Sequence, residues 1–318
     1  MENTIEEKPK KTKRAVSYAK WGYIFILPFF VAYAIFTLYP QITTLVYSFL
    51  DYKYEGLTVV GPSFVGLQNY IDLFSPTANG EIMILKCLWN TVIMWVLGAV
   101  VQLAFSLILA LFFTSTRLNL KCTGLFKAVY YMPNLIMATA FAFLFYALFD
   151  TTGPFNQILL ALGWIDKKVD FVTTYTWSTR GLVALMNFLM WFGNTTILLM
   201  AGIMGIDESL FESARMDGAS STRVFTDITL PLLKPILVYV IITSMIGGLQ
   251  MYDVPQVLTK GEGAPNKTSK TLVMLLNENL SGSRNYGVAG AIAIVLFIVT
   301  GIFSIIVFKS ISKKEDYK

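Results

Sequence analysis

Six stretches of the chain are free of Asp, Glu, Lys and Arg: Trp21 to Leu50, Leu88 to Thr116, Ala128 to Phe149, Gly181 to Ile206, Ile236 to Tyr252 and Asn285 to Phe308. A helix crosses a bilayer with about 20 apolar residues, and about 17 suffice. The pattern therefore predicts an all-α, polytopic membrane protein with six transmembrane helices. They form one domain over residues 21–309, between a basic tail over 1–20 and a short tail over 310–318. A shorter uncharged run, Thr151 to Ile165, opens on Gly153-Pro154, and its Phe155 to Leu162 part is expected to lie at the interface as a helix. The first run follows Lys8, Lys10, Lys11, Lys13, Arg14 and Lys20, as a signal peptide would. It is longer than such a segment and no small-residue cleavage site follows, so it is expected to be retained as a span.

Two connections depart from simple linkers. The first, Asp51 to Lys86, places Gly61, Pro62, Gly66 and Gly80 between short apolar pieces and is expected to be a structured loop or short helix at the membrane surface. The second, about 205–235, mixes charged residues with Leu210, Phe211, Ala214, Phe225, Ile228 and Leu230. Leu210, Phe211 and Ala214 fall at helical spacing, and Asp207 and Glu208 stand where a helix N-terminus favours negative charge. Gly218 then ends that helix, and Ser220 or Ser221 caps a second one running to about Leu230. The apolar side of this helix, turn and helix either packs on the inner ends of the protein's own spans or inserts into a partner. Spacing alone leaves both readings open.

Composition agrees with a lipid solvent: 55% of residues are hydrophobic, 14% are charged and the mean hydropathy is +0.60. Basic residues near span ends are retained on the cytoplasmic side. With the N-terminus inside, 16 of the 25 Lys and Arg residues fall on that side, including Arg117, Lys121 and Lys127 in the loop after the second span, and both termini are predicted to be cytoplasmic. The formal charge of +5 reflects this asymmetry and carries no nucleic-acid meaning. Cys87 and Cys122 fall on opposite sides of the membrane in this topology and so do not pair. The chain contains no histidine, the commonest metal ligand and the commonest general base, so no catalytic or metal-binding residue is predicted.

The long connection reads Glu212-Ser213-Ala214-Arg215-Met216-Asp217-Gly218-Ala219, then Phe225 to Leu230-Pro231, and Pro235. It resembles the coupling-loop signature of binding-protein-dependent ABC importers, with Ser213 standing where the family usually has alanine. Elsewhere the chain is similar to the carbohydrate branch of that family, which includes the maltose and glycerol-phosphate permeases. The similar segments are Leu27-Pro28, Leu38-Tyr39-Pro40, Phe64-Val65-Gly66-Leu67-Gln68-Asn69-Tyr70 and Tyr252-Asp253-Val254-Pro255. The resemblance implies a permease subunit in the plasma membrane of a prokaryote, importing a sugar or oligosaccharide by alternating access. It also implies the partners: an ABC ATPase dimer at the cytoplasmic face, a second, paralogous permease subunit and an extracellular solute-binding protein. Glu212, Ser213, Ala214, Asp217, Gly218, Ala219, Leu230 and Pro231 are the residues it assigns to ATPase coupling.

The residues are consistent with that division of labour. Proton-coupled carriers usually bury an ionisable residue near the bilayer midplane at a cost of about 2.5–3.5 kcal/mol, and the six runs hold none. No cofactor is expected on this chain, and ATP and Mg²⁺ are expected in the partner ATPase. Gly261 to Thr268 nearly fits a phosphate-binding loop, but Asn266 replaces the last glycine, the loop is predicted to face outward, and it lacks the strand-to-helix setting that makes such a loop work. For the solute path, the fourth and fifth spans offer aromatic and hydrogen-bonding groups: Asn187, Trp191, Phe192, Gly193, Thr196, Gln250, Tyr252 and Asp253. The same residues also suit ordinary helix packing and interhelical hydrogen bonds. The absence of basic residues in the spans favours a neutral sugar over glycerol phosphate, with a polyol as the nearest alternative. A membrane-embedded enzyme would need an acid, base or metal at a defined depth, for which a chain with no histidine and no carboxylate pair in its spans offers few candidates.

Overall fold

The computed structural model describes residues 19–115 and 122–312. Most of both predicted tails, with Arg117 and Lys121, lies outside the described residues. The first span forms a unit of its own, Met1–Val46 in extent, and is described by itself. It comprises α1 (Ala19–Tyr33), a π-helical turn over Ala34–Leu38, and the start of α2 (Tyr39–Tyr47). Its large apolar side chains, Phe25, Phe29 and Phe36 among them, are exposed.

The predicted loop after it holds more regular structure than expected. Strands β1 (Leu50–Glu55) and β2 (Thr58–Phe64) pair antiparallel across a two-residue turn, a small exception to an otherwise all-helical chain. Helix α3 (Gln68–Phe74) follows, and its buried Asn69 donates to the Ser48 and Leu50 carbonyls at 2.9 Å, tying the hairpin to the helix.

Helices α4 (Met83–Thr114) and α8 (Thr176–Met204) form the central pair of the larger unit. The predicted third span is not one straight helix. It is broken into α5 (Thr123–Leu135) and α6 (Ala138–Phe149), with a 90° bend at Ile136 and Met137. The break is made by Ile136 and Met137, whose ψ angles of 134° and 132° leave the helical region, while Pro133 lies within α5. Five long helices plus this bent pair match the six predicted spans. Helix α7 (Pro154–Ala161) occupies the predicted interfacial segment, pinned by buried Asn156, which donates to the Asp150 and Val169 carbonyls.

The fifth span corrects an expectation. The second helix of the long connection was expected to stop near Leu230, but α10 (Ser221–Val224) runs through a π-helical turn (Phe225–Thr229) directly into α11 (Leu230–Leu249). The Leu230 N–H reaches back to the Phe225 carbonyl, as that of Tyr39 does to Ala34 in the first span. In both places a proline follows at once, Pro231 and Pro40. Widening the helix by one residue takes the proline ring off the carbonyl it would otherwise strike, so the helix bends around proline instead of ending.

Helices α12 (Asp253–Leu258), α13 (Leu272–Asn277) and α14 (Tyr286–Ser312) complete the chain. Three buried clusters hold the larger unit together. One joins α4, α6, α8 and α12 around Met94, Phe145, Met186 and Leu258, and a second joins α4, α8 and α11 around Ala110, Leu199 and Leu233. A third joins α4, α13 and α14 around Cys87, Leu272 and Ile292. Buried polar groups stitch the same helices: Gln102 Nε2 donates to Thr195 Oγ1 at 2.8 Å, and Ser106 Oγ to the Phe192 carbonyl at 2.9 Å.

Candidate functional site

The segment with the signature-like residues is built by its own caps. Asp207 accepts the Ser209 N–H at 3.0 Å and starts α9 (Glu208–Met216). That backbone hydrogen bond holds the Asp207 carboxyl below the ordinary aspartate range, so the cap stays charged at neutral pH and weakens only on acidification. At the other end the Gly218 N–H donates to the Arg215 carbonyl at 3.1 Å and the Ala219 N–H to the Ala214 carbonyl at 2.9 Å. Gly218 has φ +74°. This is the paired-bond stop that glycine permits, and it assigns a local task to three of the signature residues at once. Ser220 accepts the Arg223 N–H and starts α10.

Helix α9 has two faces. Phe211 and Arg215 turn towards the span ends and line a groove of about 620 Å³ with Phe113, Lys127, Ile206 and Phe225. Glu212, Ser213 and Met216 point away, and Met216 is 88% exposed. Ala214 is half-buried, Asp217 and Gly218 are exposed, and Leu230 and Pro231 stand exposed at the start of α11, beyond the π-helical turn. One face of this short helix thus packs on the protein's own helices and the other is exposed.

A second feature lies further along the same helices. Helices α4, α8 and α11 enclose a cavity of about 190 Å³ lined by Trp95, Gln102, Asn187, Trp191, Asn194 and Tyr239, together with smaller residues. No lining residue is charged. Asn187 Nδ2 is spent on the Val183 carbonyl of its own helix at 2.9 Å and Gln102 on Thr195, whereas the Asn194 amide has no hydrogen bond among the described residues. An uncommitted amide beside aromatic faces suits a neutral polyhydroxylated ligand, whose ring edges are polar and whose faces are apolar.

Of the residues predicted for a solute path, Asn187 and Trp191 line this cavity. Phe192, Gly193 and Thr196 turn instead into the packing of α8. Phe192 meets Phe105 and Phe188 with ring centroids 5.6 and 5.2 Å apart. Gly193 abuts α5, where a Cβ would come within 2.2 Å of the Tyr130 carbonyl oxygen. Thr196 Oγ1 donates to the Phe192 carbonyl. Gln250 is exposed at the end of α11, Asp253 is exposed at the start of α12, and Tyr252 accepts from Asn277 Nδ2 at 2.7 Å. Sequence reasoning missed the contribution of α4. Trp95 and Gln102, seven residues apart and so on one helix face, are the signal that could have found it.

Comparison with known proteins converges on one family. The family described as binding-protein-dependent transport system inner membrane component matches residues 102–315. The arabinooligosaccharides transport system permease protein of Bacillus subtilis is 31% identical, with 96% of this chain and 95% of that protein covered. The lactose transport system permease protein of Rhizobium radiobacter is 28% identical, with 92% and 95% covered. Among solved structures, a bacterial ABC transporter involved in the import of the acidic polysaccharide alginate matches in fold with a TM-score of 0.74 at 19% identity, over 93% of this chain and 96% of that one.

Proposed function

Since the chain belongs to the family of binding-protein-dependent transport system inner membrane components, it is a multi-pass permease subunit of an ABC importer, and we propose that its cargo is a neutral sugar or oligosaccharide. The observation that carries the cargo is the cavity between α4, α8 and α11, in which Trp95, Trp191 and Tyr239 stand beside amides and no charge. Relatives named for lactose and arabinooligosaccharides support it. An acidic polysaccharide or glycerol phosphate would call for basic groups in the path.

In this reading α9 is the element on which a partner ATPase acts. Its Glu212 face is free to meet the partner, its Phe211 face rests on the spans, and ATP and Mg²⁺ reside in that ATPase. Helix α8 carries the motion as a rigid rod: Leu198 lines the cavity and Ile203 the groove, only about 7 Å apart along the axis. Closure of two ATPases beneath α9 thus reaches the cavity through packed helices that shift as units. A second permease subunit completes the path, and a binding protein delivers solute from outside, with both termini of this chain in the cytoplasm.

The test is ATP hydrolysis by the co-purified complex in lipid. A binding protein loaded with a neutral sugar should stimulate it several-fold over the unloaded protein. Stimulation only by an anionic ligand, or hydrolysis indifferent to any loaded binding protein, would overturn the cargo assignment.

A further inference from the structure

Beyond the end of the cavity remote from α9, the loop Thr259–Thr271 between α12 and α13 forms a compact body. Thr259 Oγ1 accepts the Gly263 N–H at 3.0 Å, the Ser269 N–H bonds the Gly263 carbonyl at 3.2 Å, and Thr268 Oγ1 donates to the Pro265 carbonyl at 2.7 Å. It is fastened to the spans at a few points, and Arg180 is the chief one. This side chain is 92% buried yet has no carboxylate against it among the described residues. Its Nη2 donates to Asn90 Oδ1 of α4 at 2.7 Å, its Nε donates to the Thr268 carbonyl of the loop at 2.9 Å, and its guanidinium lies 5.4 Å from the Trp177 ring. Asn90 in turn donates to the Lys267 and Lys270 carbonyls at 2.8 and 3.2 Å. Thr271 Oγ1 donates to the carbonyl of Met251, which lines the cavity, and the Leu272 N–H bonds Thr91 Oγ1. Asn90 stands one helical turn from Met94 and Arg180 two turns from Asn187, both cavity-lining residues.

A buried guanidinium that joins two helices to a loop through directional bonds makes that junction one cooperative unit, either closed or broken. We propose that Arg180 is a positioning residue for transport: it latches the loop Thr259–Thr271 over the outer end of the cavity, and opening the cavity outward requires that latch to part. The proposal rests on the reading of the cavity as the solute path.

The chain carries its own reporter. Cys87 lies one turn from Asn90, is fully buried, and packs against Leu272 at the foot of the loop. Its carbonyl accepts from Thr91, the residue that holds the Leu272 N–H. In intact cells making the whole complex, with Cys122→Ser to silence the other thiol, an impermeant maleimide should label Cys87 slowly. Arg180→Gln should raise that rate at least about tenfold, because charge-assisted bonds at the junction are lost. The double variant Arg180→Gln/Asn90→Ala should label no faster than the faster single variant, since both break one junction.

A merely structural Arg180 would lower the amount of assembled complex and leave Cys87 protected in the fraction that assembles, and that result overturns the latch. If Arg180→Gln does not accumulate, Asn90→Ala carries the same test, and unchanged labelling there overturns it equally. Labelling in inside-out vesicles but not in intact cells would refute outward opening. If Trp191→Ala leaves uptake unchanged while Arg180→Gln unmasks Cys87, the latch stands and the cavity reading falls.

Discussion

Replacing Gly218 by valine tests the turn between α9 and α10. At φ +74° an L-residue pays about 1–2 kcal/mol, and a β-branched one sits at the upper end of that range. About 2 kcal/mol lowers the ratio of native to non-native turn by roughly thirtyfold. It also threatens the two hydrogen bonds that stop α9, from Gly218 to Arg215 and from Ala219 to Ala214. Apart from its two chain neighbours, no described residue comes within 4 Å of the position a Cβ would take, so the cost is conformational and not a clash. Because Gly218 lies outside every span, the variant should reach the membrane at normal levels, yet lose most solute uptake and most stimulated ATP hydrolysis. Gly218→Asn separates strain from bulk, since asparagine visits the left-handed region at small cost, and it should keep clearly more uptake than Gly218→Val. Normal uptake by the valine variant would refute the argument, as would an asparagine variant that is equally impaired.

Three further outcomes follow from the same geometry. An impermeant thiol reagent on intact cells should leave exposed Cys122 unlabelled and label it once membranes are opened; labelling from outside would invert the topology. Trp191→Ala should raise the solute concentration for half-maximal uptake several-fold with the complex intact, while Gln250→Ala, outside the cavity, should change it little; the reverse order would move the path away from α4, α8 and α11. Gly193→Ala should destabilise the purified protein by about 1–3 kcal/mol, read as a lower melting temperature in detergent, because the new methyl meets the backbone of α5 at Tyr130 and backbone cannot step aside; an unchanged melt would mean that α5 yields freely.

Much of this protein was legible from one-dimensional signals. Span number followed from runs without charge, and the α9 stop followed from Gly218, because both depend on residues adjacent in sequence. The hairpin of β1 and β2 was read only as a structured loop. Its strands are short and mostly not buried, so their side chains leave no clean alternation. Neither the bend at Ile136 and Met137 nor the unbroken passage of the second helix through Pro231 into α11 was legible in the sequence. A proline removes one bond and crowds one carbonyl, and whether the helix then breaks or widens by a residue depends on what packs around it.

What the sequence determined by itself was therefore everything set by solvent and by local chain geometry: a lipid-embedded helical chain, a helix and turn at about 205–218, and six long runs without Asp, Glu, Lys or Arg. Tertiary structure alone decided which face of each helix is used. Trp191 and Phe192 are neighbours in sequence, yet the first lines the cavity and the second is buried among aromatic rings. Arg180 stands just before the uncharged run Gly181 to Ile206, and only the structure shows it sealed between Asn90 and Thr268. Apolar spans hydrophobic on all sides carry no periodic signal for their orientation, so only the packing of α4 against α8 and α11 selects the inward face.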